Sequence, residues 1–162
     1  MTRTMTRLSA LALVTVLAAC GSGGGKSERM YLAQPRVSQA DLHPNETPEL
    51  RALIRKYSAL YGVPEDLVHR VVIRESRHRP GARNGRYYGL MQMAPATARG
   101  MGYSGSPQGL LDAETNLKYG VKYLRGAYLV ADGNHDAAVK WYSRGYYYEA
   151  KRKGLLEEAG PR

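Results

Sequence analysis

The chain of 162 residues contains no phenylalanine, one tryptophan and one cysteine. With Cys20 alone, an internal disulfide is excluded, and so is a zinc site built on cysteine pairs. Aromatic content rests on 13 tyrosines, so any one tyrosine has an ordinary use in core or surface. Histidine is sparse: His43, His69, His78 and His135 are scattered without metal-ligand spacing, and no metal site is expected. No Gly-x-Ser-x-Gly elbow and no phosphate-binding glycine loop occurs, which sets aside the chemistry those motifs carry. Zinc-finger spacing and RNA-binding aromatic motifs are missing as well. No alternating apolar run is long enough for a substantial sheet, and no segment repeats. In the middle of the chain the scarce element is acid. Glu75 is the only carboxylate between Leu67 and Leu111, a span that holds Arg70, Arg74, Arg77, Arg79, Arg83, Arg86 and Arg99. So isolated an acid is either a surface ion-pair partner or the proton donor of a site.

Two basic residues, Arg3 and Arg7, precede an apolar run over Leu8–Ala19. That run is shorter than the roughly 20 residues a spanning helix needs and has the size of a secretory h-region. It ends at Leu17-Ala18-Ala19-Cys20, followed by a Gly/Ser stretch. This resembles a lipoprotein signal: residues 1–19 are expected to be removed, and Cys20 to become the lipid-modified terminus of a flexible tether over 20–46. The Gly21-Ser22 pair lacks the aspartate that in some bacteria retains lipoproteins in the inner membrane, so an outer-membrane anchor is favoured.

Charge narrows the partner. The formal net charge is +10, and +8 remains once Arg3 and Arg7 leave with the signal. A basic surface suits nucleic acid, an anionic membrane or an acidic polymer. Export argues against nucleic acid and leaves an envelope polymer or membrane surface.

From Thr47 the pattern turns helical. Thr47-Pro48-Glu49 reads as a cap, a proline at the first helical position and an early acid, and an apolar stripe runs from Leu50 to Tyr61 before Gly62. A second helix starts at Val63-Pro64-Glu65-Asp66, with Pro80-Gly81 expected to end it. Its stripe is Val68, Val71, Val72, and the next position on that stripe is Glu75. Arg70, Arg74 and Arg77 fall on other faces. A purely solvated acid belongs on the charged face, so the period favours a role for Glu75. Asn84-Gly85 predicts a tight turn that closes a small hairpin. Further helices are expected from Ala94-Pro95 to near Gly100 or Gly102, over about 112–131, over about 135–143, and in a short piece ending at Lys153. The expected fold is all-α: a single small domain over 47–162, with a short loop or hairpin beside the site.

Several of these residues together carry a family likeness. Glu75-Ser76, Pro80, Gly89-Leu90-Met91-Gln92, Pro95 and Thr97-Ala98 resemble the catalytic core of the lytic transglycosylases, which cleave peptidoglycan and share the goose-type-lysozyme fold. Asp112, Asn116, Gly120 and Tyr123-Leu124 match that family's "D…N…G…YL" helix, and Trp141-Tyr142-Ser143-Arg144-Gly145 stands where it has "Y-N-A-G". The match spans roughly 50–150. It implies a lysozyme-like helical fold, no cofactor, and peptidoglycan glycan strands as the partner of a membrane-anchored protein. It also implies that Glu75 acts first as acid and then as base, giving 1,6-anhydromuramic ends. Most glycosidases use two carboxylates; Asp112 or Glu114 remain candidates to fold back as a second. Gln92 and Met91 would touch the sugar, Met91 having core packing as its alternative. Tyr142 would hold the acid or the sugar, while Tyr87 and Tyr88 would stack on sugar faces or pack the loop. The stretch from Asn84 to Tyr88 departs from the family's usual "S-x-x-G-A", and Ser143-Arg144 replaces Asn-Ala. A lysozyme-like hydrolase and a non-catalytic glycan-binding lipoprotein are the alternatives.

Overall fold

A computed structural model describes residues 38–160; Cys20, the expected signal and the expected tether up to residue 37 lie outside the described residues. The domain is all-α apart from one tiny hairpin. Its helices are α1 (Pro48–Tyr61), α2 (Glu65–Ser76), α3 (Pro95–Gly100), α4 (Ala113–Val130), α5 (His135–Arg144), α6 (Tyr147–Lys153) and α7 (Leu156–Ala159). The hairpin pairs β1 (Arg83–Asn84) with β2 (Tyr87–Tyr88), Arg83 opposite Tyr88 and Asn84 opposite Tyr87, so its turn is Gly85-Arg86.

Local chemistry sets most of these boundaries. Thr47 Oγ1 accepts the Leu50 N–H at 3.1 Å, and Gly62 closes α1 in the left-handed region at φ 61°. Asp112 and Asn134 cap α4 and α5 in the same way, through the N–H groups of Thr115 and Ala137. α2 departs from expectation at its end. It stops at Ser76 rather than at Pro80, because Arg77 and His78 take left-handed conformations (φ 53° and 58°) and turn the chain back. α7 is also unanticipated, and the 103–109 loop runs into a 3-10 turn over Pro107–Leu111.

α4 is the spine, packed against α1, α5 and α7. Leu117, Val121, Leu124 and Ala127 are fully buried on it and meet Ile54 of α1 and Leu67, Val68 and Val72 of α2 in one core. Tyrosine fills the place of phenylalanine. The Tyr146 ring is buried, and its hydroxyl donates to the Ala159 carbonyl at 3.2 Å. Gly126 makes room for it, since a Cβ there would stand 2.2 Å from the Tyr146 oxygen.

Residues 38–46, at the end of the stretch read as linker, are fastened to the domain. Glu46 is buried and takes two 2.7 Å hydrogen bonds from the Arg51 guanidinium, and its other ties include the His43 N–H at 2.9 Å. The Asn45 side chain donates to the Arg77 carbonyl at 3.0 Å. Burial alone would raise the Glu46 carboxyl, but the bonds from Arg51 and His43 outweigh it and hold the group below the ordinary 4.5. A depressed carboxyl contributes stability above its unfolded pKa and loses it as pH falls through the folded one. Glu46→Ala is therefore expected to lower stability by about 3 kcal/mol near neutral pH, by taking from the buried Arg51 its bidentate carboxylate partner and leaving only Glu65 at 4.0 Å and the Asp41 carbonyl. Urea unfolding at pH 7 and at pH 3 checks this, with the smaller difference at pH 3.

Candidate active site

The last turn of α2 delivers Glu75 to the surface of a groove. Its side chain is 23 % exposed, at the end of the buried stripe formed by Val68, Val71 and Val72. Two adjoining cavities, about 360 and 500 Å³, share Glu75, Asn84 and Gln92 in their linings, so the acid sits along one continuous depression. Tyr87, Tyr142 and Ser143 wall one side; Arg79 and Arg83 wall the other. Among the described residues, Glu75 is the sole carboxylate lining either cavity. Asp112 caps α4, and Glu114 is bonded to Lys56 and Tyr57, so neither serves as a second acid.

Two influences compete at Glu75. Burial favours the protonated carboxyl, while Arg74, with Nε 3.6 Å from Oε1, favours the anion. Burial prevails and holds the pKa above 4.5, because the Arg74 side chain is half exposed and water screens it.

Gly89-Leu90-Met91-Gln92 is a turn, not a wall of side chains. Tyr88 and Met93 exchange N–H···O bonds of 3.1 and 2.9 Å across it. The buried Asn116 of α4 holds it from beneath: Oδ1 accepts the Met91 N–H at 2.8 Å, and Nδ2 donates to the carbonyls of Tyr88 (2.8 Å) and Leu110 (2.7 Å). Gly89 is required there, at φ 75°, since a Cβ would lie 2.3 Å from both Asn116 Nδ2 and the Leu110 oxygen. Gln92 adopts φ 46° and donates its amide to the carbonyls of Gly89 (2.9 Å) and Ala82 (3.2 Å). Its side-chain amide thus ties the turn to the chain before the hairpin while lining both cavities.

The site residues read from sequence divide accordingly. Glu75, Gln92 and Tyr142 come together in the groove. Met91 does not reach it: the side chain is fully buried against Gly120, where a Cβ would meet Met91 Sδ at 2.5 Å, and only the Met91 backbone serves the site. Tyr88 is likewise buried, with Arg83 over its ring at 4.9 Å, and its neighbour Tyr87 lines the cavity instead. The alternation of a strand puts adjacent tyrosines on opposite faces, so one of the pair had to point inward.

Tyr142 of α5 is a positioning group. Its hydroxyl donates to the Met91 carbonyl at 2.7 Å, joining α5 to the turn that Asn116 grips. Burial and then the Glu75 charge push its pKa far up, so it remains a neutral donor. Ser143 Oγ donates within α5 to Val139 at 3.0 Å, and Arg144 lies over the Trp141 ring at 3.6 Å, so neither replacement disturbs the acid.

The histidines, scattered in sequence, are not scattered in space. His43, His69 and His78 converge beside Glu46, with one ligand atom of each of the four within 4.8 Å of the others. The reversal at Arg77-His78 brings this about by folding His78 back beside His69 of α2.

Residues 52–157 match the family model described as the transglycosylase SLT domain. The matched span runs from α1 into α7 and contains the groove, the turn that Asn116 holds, and Tyr142. With well over half of the chain matched, and with the mostly helical lysozyme-like fold that this domain has, the chain belongs to the SLT transglycosylase family, whose substrate is peptidoglycan.

Proposed function

We propose that the protein is a lytic transglycosylase that cleaves the β-1,4 bond between N-acetylmuramic acid and N-acetylglucosamine with Glu75 as its only catalytic carboxyl. The carrying observation is that Glu75, half-buried and with its pKa raised by that burial, is the one acid lining the groove among the described residues. A glycosidic oxygen leaves readily only when protonated as the bond breaks. Glu75 donates that proton, and the muramic N-acetyl group assists at the anomeric carbon. The Glu75 carboxylate then takes the proton of the sugar's own 6-hydroxyl, whose oxygen closes onto the anomeric carbon. The product is a 1,6-anhydro end, and Glu75 is again protonated. Substrate-assisted routes of this kind need no second protein carboxylate.

Arg74, Arg79 and Arg83 along the groove give it the sign that suits a polymer bearing carboxylates. A lipid anchor at Cys20, facing the murein from the outer membrane, would hold the groove near its substrate; the leader and Gly/Ser stretch in the sequence support that part.

Digestion of purified murein in oxygen-18 water, followed by mass spectrometry, tests the reaction. Unlabelled anhydromuramic ends are expected. Labelled reducing ends would make the protein a muramidase, and binding without cleavage would make it a glycan-binding scaffold.

A further inference from the structure

A second cluster of chemical groups lies outside the groove and takes no part in the proposed reaction. His43 comes from the segment before α1, His69 from the middle of α2 and His78 from the turn that follows it. His69 Nδ1 and His78 Nε2 are 3.1 Å apart. Two imidazole nitrogens on one tetrahedral zinc, each at about 2.0–2.1 Å, stand about 3.4 Å from one another. The His43 ring stacks on His78 with centroids 5.0 Å apart and is 4.8 Å from that of His69.

The second nitrogen of His69 points to the same use. Nε2 is buried without a hydrogen bond, facing Glu65 Oε1 at 3.5 Å and Glu46 Oε1 at 3.8 Å. Carboxylates commonly stand behind a metal-bound imidazole in this way, taking its outer N–H and freeing the opposite nitrogen to ligate. Arg51 is a cation near the cluster and opposes a second one, but it is already paired with Glu46. A cavity of about 600 Å³ reaches His43 and His69 from solvent and shares no lining residue with the Glu75 groove, so an ion has its own access.

We propose that His43, His69 and His78 form a binding site for a divalent first-row cation of the zinc type, with a water from the adjoining cavity as the fourth ligand. Imidazole donors suit zinc, copper and nickel rather than magnesium or calcium. The bound ion would join three separate pieces of chain: the 38–46 segment, α2 and the turn beyond it. Since His78 follows Glu75 by three residues, the ion would also pin the end of the helix that carries the acid.

The test uses the purified protein stripped of metal. Zn²⁺ is titrated in competition with a chromogenic chelator, and melting is followed with and without the ion. One Zn²⁺ per chain and a higher Tm are expected. Affinity should drop by about tenfold or more in His43→Ala and in His69→Gln. His135→Ala, which alters the histidine outside the cluster, should bind as the parent does. Co²⁺ in place of Zn²⁺ gives a readout on the unaltered protein, where visible absorption of tetrahedral, nitrogen-ligated cobalt is expected. Absence of stoichiometric binding, absence of that absorption, or binding that survives both His43→Ala and His69→Gln overturns the proposal.

Discussion

Glu75→Gln is expected to abolish measurable murein cleavage, lowering the rate by about 10²–10⁴-fold, the usual contribution of a positioned general acid. The amide keeps the shape of the side chain but can neither deliver the first proton nor accept the second. No neighbouring carboxylate can stand in, because none other lines the groove among the described residues. The same substitution should raise stability at neutral pH. A carboxyl whose folded pKa lies above its unfolded one destabilises the fold once ionised, and the effect vanishes below the unfolded value. The Tm of Glu75→Gln should therefore exceed that of the parent at pH 7 and converge with it below about pH 4, where the parent's carboxyl is protonated in both states. A loss of activity joined to a gain in stability separates a catalytic acid from a structural ion pair, whose removal would lower both or neither.

The second large effect belongs to a residue that never touches substrate. Asn116→Ala is expected to cost about 3 kcal/mol or more, because it leaves the Met91 N–H and the Leu110 carbonyl without their partner inside the protein, at about 1–3 kcal/mol for each orphaned group, and opens a void. The Tyr88 carbonyl suffers less, since it also accepts from the Met93 N–H. Loss of activity should accompany loss of stability. The turn held by Asn116 presents Gln92 to the groove and the Met91 carbonyl to Tyr142, so both sides of the site loosen together. Asn116→Asp is the sharper variant. It keeps the acceptor for Met91 N–H and turns the two Nδ2 donations into oxygen–oxygen repulsion, so it should be no more stable than Asn116→Ala. Urea unfolding and murein cleavage measured on both variants check this; a variant that loses activity while keeping full stability would contradict the positioning role.

What the sequence revealed follows from which interactions are local. The helix cap at Thr47, the stop at Gly62 and the stripe ending in Glu75 are set by residues within a few positions of each other, so pattern alone finds them. The fate of Met91 and Tyr88 depended on partners far along the chain. Gly120 leaves the space that Met91 fills, and Asn116 draws down the backbone of both, and neither follows from the order of residues in the turn. Gln92 was legible as a site residue, but its left-handed backbone and its two bonds to carbonyls were not. The fastening of residues 38–46 escaped notice because a buried Glu46–Arg51 pair leaves no apolar period to detect. The gathering of His43, His69 and His78 escaped for a related reason. It depends on two consecutive left-handed residues after α2, in a position where neither glycine nor asparagine signals them.

The arginines change meaning in the folded protein. Their number around Glu75 suggests a strong pull toward the carboxylate, yet Arg70 is bonded to Asp136 and Arg74 stands half exposed beside the acid. Desolvation by the end of α2 then outweighs the one close guanidinium.

The proposed role of Glu75 depends most on that balance, and the titration of its carboxyl measures it directly. Carbon-13 NMR of selectively labelled glutamate, assigned through Glu75→Gln, should show the Glu75 signal titrating above 4.5 in the free protein. The pH profile of kcat/KM for murein cleavage should fall on its alkaline side with the same pKa. A Glu75 carboxyl that titrates at or below 4.5, with activity indifferent to its ionisation, would contradict the claim that this acid delivers the proton.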